Sequence, residues 1–183
     1  MRPIITLTVT AALTLWSLAP ANGASKVKTE SPSRQAEKIF ATIDASSEEV
    51  ADTAYQLNDD AFRQRDPAAH LAGLQALRTD INQIGSELRV LEAERSSLAP
   101  WEGQVLDEVL PLFHDAAVNT DQAIQTFNSD RIHLYSTSYM EDTQQITKDA
   151  NKAAALLHDY LKLAKTRGRE SKIEERLGED QQF

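Results

Sequence analysis

Residues 74–98 read LQALRTDINQIGSELRVLEAERSSL, and the apolar side chains Leu74, Leu77, Ile81, Ile84, Leu88 and Leu91 recur in them every three or four positions, with Leu98 one heptad further on. Residues so spaced share one face of an α-helix, whereas a half-buried strand repeats every two. The segment is therefore an amphipathic helix. Arg95 alone interrupts its stripe. Asp66-Pro67 opens it, an N-cap followed by a residue whose missing N–H costs nothing in the first turn. Gly73 and Gly85 each cost a helix interior about 1 kcal/mol relative to Ala. Both are expected where a neighbouring helix comes close.

The same periodicity extends in both directions. Upstream, Ala36, Phe40, Ile43, Val50, Ala54, Leu57 and Ala61 form a stripe that reaches about Gln64, with Ser31-Pro32 as the expected start. Ser47 stands within this stripe, and Ser46-x-x-Glu49 matches a capping box that would break the helix near Asp44. The phase carries across from Ile43 to Val50, which favours one helix. A break there would free the N-terminal half to pair with a second copy, giving a homodimer.

Downstream, Ala99-Pro100-Trp101 marks a turn. Leu106, Leu110, Phe113, Ala117, Ile124 and Phe127 then form a third stripe, with Pro111 inside it and a kink expected there. A linker over residues 131–136 leads to a cap at Thr137 or Ser138, with Ser138-x-x-Glu141 as a capping box. Tyr139, Ile146, Ala150, Ala153, Leu157, Tyr160, Leu161 and Ala164 form the fourth stripe, which is expected to end near Gly168.

Four segments of roughly 28–33 residues would span about 42–50 Å each. Matched lengths and short links predict an all-α fold, an antiparallel up-down-up-down four-helix bundle with coiled-coil-like seams over residues 25–168. Residues 169–183 carry mostly charged side chains and are expected to form a disordered tail.

Residues 1–24 read as a signal peptide. Arg2 is followed by a charge-free, mostly apolar run over residues 4–18 and by the small-residue site Ala19-x-Ala21. The run is short for a membrane span, which needs about 20 residues, so no stable insertion is expected after cleavage. The mature chain is then exported, to the periplasm or the extracellular space, and loss of Arg2 takes the net charge from −9 to −10.

Composition excludes much of the remaining chemistry. The 183 residues include no Cys, so there is no disulfide, thiolate zinc site, covalent haem or lipidated cysteine. The acidic balance argues against nucleic acid as a partner and against direct contact with anionic lipid heads. No Glu-x-x-His, His-Glu-x-x-His or Gly-x-Ser-x-Gly occurs, so neither a di-iron bundle nor a common hydrolase is indicated. The expectation is a non-catalytic protein without a cofactor that binds a partner protein or an envelope component.

The alternative is divalent-metal binding at one loop end. There the expected topology gathers His70, His133, Asp66 and Asp130, with Asp59 and Asp60 nearby. His114 and His158 each follow a stripe residue and are expected at the edge of the buried face. Trp101 is expected to cover one end of the core.

Overall fold

The computed structural model describes residues 33–63, 66–130 and 137–179. The expected signal peptide, residues 1–24, lies outside these, as do His133 and the last four residues. Among the described residues there is no strand, and four helices pack against each other: α1 (Arg34–Phe62), α2 (Pro67–Ala93), α3 (Pro100–Ser129) and α4 (Thr137–Glu179). α1 and α3 each pack on both α2 and α4. One core runs between them, built from the four predicted stripes: Phe40, Ile43 and Leu57 of α1, Leu74, Leu77 and Ile84 of α2, Leu106 and Phe127 of α3, and Ile146 and Leu157 of α4. No described helix is long and apolar enough to cross a membrane.

α1 runs unbroken through Asp44, so the hinge required for a swinging, dimer-forming arm is absent. Ser47 is tolerated in the stripe because its hydroxyl donates to the Ile43 carbonyl at 2.5 Å, satisfying the group without a partner helix. The N-cap is Ser33, not Ser31, with Oγ accepting from Ala36 N at 3.3 Å. α2 starts as expected: Asp66 Oδ1 accepts from Ala68 N at 2.9 Å and Pro67 occupies the first helical position.

α2 ends at Ala93, several residues before Leu98. Arg95 therefore does not interrupt a helical stripe but opens a 3₁₀ turn (Arg95–Ser97), from which its guanidinium pairs with the Asp107 carboxylate. Pro100 is the first residue of α3 and not a turn residue before it. α3 continues through Pro111, whose side chain faces outward. α4 already includes Thr137, which places Ser138-x-x-Glu141 inside its first turn.

The end of α4 is a clear departure. The helix does not stop at Gly168 but continues to Glu179, although the side chains of residues 172–177 are exposed. Gly168 lowers helix propensity by only about 1 kcal/mol, while each added residue closes a further backbone hydrogen bond and Arg, Glu and Lys are good helix formers. α4 has 43 residues against 27–30 for the others, so it is about 20 Å longer.

The two glycines of α2 differ. A Cβ on Gly73 would lie 2.8 Å from Leu57 Cδ2, so α1 and α2 approach closely there as expected. A Cβ on Gly85 would meet nothing nearer than the Arg89 guanidinium at 3.9 Å. No helix presses on Gly85.

Candidate functional site

At one end of the core, His70 sits in the first turn of α2 and is fully buried. Its position just after the Asp66-Pro67 cap suggested a solvated loop end; the helix instead turns it inward, onto α4. Nδ1 lies 3.1 Å from the Tyr139 hydroxyl, and the two rings meet edge-on at 5.7 Å. From α1, Asn58 Nδ2 donates to the Met140 carbonyl and to Thr143 Oγ1, both at 3.0 Å.

Burial pushes the His70 pKa below the ordinary imidazole value, and the charge and main-chain carbonyl of Asp60 only partly oppose this. Tyr139, which shares the hydrogen bond at Nδ1, has its own pKa pushed up by burial and by the Asp60 charge. His70 Nε2 has no hydrogen-bond partner of ordinary geometry among the described residues.

The other residues of the expected metal site are placed differently. Asp66 is an exposed N-cap bound to Ala68 N. Asp130 is the exposed residue that ends α3, where its N–H donates to the Thr126 carbonyl at 2.9 Å. His133 lies outside the described residues. Among those described, no group of three or more His, Asp or Glu side chains is arranged to hold a metal ion. His114 and His158 are exposed and not at the buried edge; His114 Nδ1 is 3.4 Å from Asp115 Oδ1.

The opposite end holds a buried carboxylate that sequence reasoning missed. Glu102, in the first turn of α3, has no exposed surface. Its Oε1 accepts from Ser33 N at 3.0 Å and from the Tyr160 hydroxyl at 3.1 Å, and its Oε2 accepts from Ala99 N at 2.9 Å. One side chain thus joins the start of α1, the start of α3 and the body of α4. The bond to Ala99 N is half of a capping box; the other half is missing because Ala99 has no side-chain acceptor. A Glu three residues beyond the residue preceding Pro100 was the available signal. Tyr160 stacks on Trp101 at 5.3 Å and touches Phe40 at 4.6 Å, and the Arg167 guanidinium lies 4.6 Å above the Trp101 ring. Trp101 covers the end of the core, as expected. Burial and the Glu102 carboxylate push the Tyr160 pKa upward.

A second buried acid, Asp149 of α4, accepts from Gln145 at 3.0 Å. Burial raises its pKa, Gln145 opposes this, and the Asp115 charge across the α3–α4 seam adds to it.

Two openings flank these clusters. A groove of about 260 Å³ between α2 and α3 has a floor of Ile81, Leu88, Leu110 and Phe113, and Gly85 keeps it open. A cleft of about 510 Å³ lies between the first turn of α1 and the end of α4. Compared with known protein families, curated proteins and solved structures, the chain matches none significantly.

Proposed function

We propose that this chain is an exported, non-catalytic binding protein whose partner is another protein or a component of the cell envelope, and that its helices run in antiparallel up-down-up-down order. The observation that carries the binding reading is the occupation of its buried chemistry. His70 and Glu102, the groups best suited to acid–base or ligand work, are fully buried and held by Tyr139 in the first case and by Ser33, Ala99 and Tyr160 in the second. A catalytic group must reach a substrate, and these two tie helices together.

The antiparallel order draws support from which residues meet. Gln35, at the start of α1, donates to Glu94 just past α2 at 2.9 Å. Phe40 touches Tyr160, late in α4, whereas Asn58, near the end of α1, bonds Thr143, early in α4. Export rests on the charged start, apolar run and Ala19-x-Ala21 site of the leader.

A second reading, divalent-metal binding at the His70 end, draws on the buried His70 imidazole lying beside Asp60. One experiment separates the two: native purification from the envelope fraction of the source cells, with metal analysis of the product. A partner retained at fixed stoichiometry, with metal absent, supports binding. A lone chain retaining metal that His70→Ala loses supports the second reading and overturns the first.

A further inference from the structure

The cleft beside α1 reverses the charge of the rest of the molecule. The chain carries a net charge of −9, yet residues 162–176 hold six basic and three acidic side chains. Lys165, Arg169 and Lys172 line the cleft from α4 at helical spacings of four and three, so one face of the helix presents all three. Arg34 faces them from the first turn of α1, where the helix dipole adds partial positive charge. Glu37 and Glu175 are the acids of the lining, leaving an excess of two positive charges.

Among the described residues, none of the four cations makes an ion pair. Gly168 lies between Lys165 and Lys172 in the cleft wall, and a Cβ there would meet nothing within 4 Å. A side chain would fit sterically, but its absence keeps the space between the cations open. From Lys165 to Lys172 is two helical turns, about 10 Å. That span, in a space of about 510 Å³, exceeds one inorganic phosphate and suits a ligand with anionic groups several ångströms apart. Arg34 and Arg169 supply planar forks for bidentate phosphate contacts, and the lysines supply point charges.

We propose that this cleft binds a polyanion bearing two or more phosphate groups, presented either in solution or by a lipid headgroup. The inference goes beyond the binding role proposed above, because an anion site stands whether or not the chain is exported. It also qualifies the expectation drawn from net charge: the acidic surface disfavours anionic ligands as a whole, while this cleft gathers cations locally.

The test is calorimetric titration of the full chain with sodium tripolyphosphate at low salt. Saturable one-site binding is expected, weakening as salt is added. The double variant Lys165→Gln/Lys172→Gln alters two exposed side chains and should weaken binding about tenfold or more, roughly 1.4 kcal/mol. Lys148→Gln/Lys152→Gln removes the same charge elsewhere on α4 and should leave affinity nearly unchanged. Absence of saturable binding, or equal losses in both variants, overturns the proposal. A second arm compares sedimentation with phosphatidylcholine vesicles containing cardiolipin, whose headgroup carries two phosphates, and with phosphatidylcholine vesicles alone. Retention on the anionic vesicles that the cleft variant loses assigns the site to headgroups; tripolyphosphate binding without such retention assigns it to a soluble ligand.

Discussion

Replacing each of the two glycines of α2 with alanine should shift stability in different directions. Both lie inside the same helix, so each Gly→Ala change gains about 1 kcal/mol of helix propensity. At Gly85 nothing opposes this gain, because the new Cβ would meet only the end of the flexible Arg89 side chain, at 3.9 Å. Gly85→Ala should therefore raise the melting temperature by about 2–4 °C, the response of a chain this size to about 1 kcal/mol. At Gly73 the new Cβ falls 2.8 Å from Leu57 Cδ2, 3.2 Å from Cγ and 3.4 Å from Cδ1. Leu57 is only 3% exposed and cannot swing into solvent. Overpacking of this kind costs about 1–3 kcal/mol, so the net change at Gly73 runs from near zero to a loss of about 2 kcal/mol. Thermal unfolding followed by far-UV circular dichroism at neutral pH reads both variants. Equal stabilisation by the two would refute the close α1–α2 approach at Gly73; destabilisation at Gly85 would refute the open groove between α2 and α3.

Three further perturbations address the buried groups and the helix defect. His70 has a lowered pKa when folded, so its contribution is complete above the unfolded value of about 6.5 and is lost as pH falls below that value toward the folded one; wild type should lose melting temperature between pH 7 and 5 more steeply than His70→Gln, and parallel curves would contradict the assignment. The groups facing this ring are Asp60 on α1 and Tyr139 on α4, while the carboxyls with raised pKa, Asp44, Asp80, Asp142 and Asp149, favour the fold on acidification and cancel in the comparison. Glu102→Gln keeps the shape but leaves one buried N–H of Ser33 or Ala99 facing an amide donor, a loss of about 1–3 kcal/mol that chemical denaturation should register; an unchanged midpoint would mean that the carboxylate does not hold the three helices. Pro111→Ala restores a donor to the Asp107 carbonyl on an exposed face of a continuous helix, so the melting temperature should rise, reflecting up to about 3 kcal/mol; a fall would show that the ring packs usefully where it stands.

The stripes were legible because burial of an apolar face dominates helix stability, and that face is written in residue spacing. Caps were legible where a polar side chain precedes Pro, as at Asp66. The start of α1 was misread because Ser31-Pro32 matches the same pattern, whereas the chain uses Ser33. Arg95 shows how a stripe misleads at its end: Leu98 falls back into phase after a 3₁₀ turn, so the period alone does not register the stop at Ala93.

The extension of α4 was missed for the opposite reason. Its last turns bury little, and periodicity is silent where nothing is buried. The buried polar groups were the hardest to foresee. His70 and Glu102 sit one turn inside helix starts, where sequence suggests solvent, and which way such a residue faces depends on the rotation of its helix against neighbours distant in sequence. Sequence placed candidate ligands at the His70 end but did not anticipate that Tyr139, itself a stripe residue, would occupy the imidazole.

The direction of the four helices underlies the Glu102 tie, the His70 pair and the basic cleft alike. Pulsed electron-spin distance measurements test it most directly, on full chains labelled through cysteines introduced at Lys38 with Lys162, and at Lys38 with Glu141. These positions are exposed, and the chain has no native cysteine to compete for label. With α1 and α4 antiparallel, as proposed, the first pair lies at one end of the bundle and should read about 20 Å or less, while the second is separated by some 20 residues of helix rise, about 30 Å or more. A short distance for the Lys38–Glu141 pair with a long one for Lys38–Lys162 would contradict the antiparallel bundle and everything assigned to its two ends.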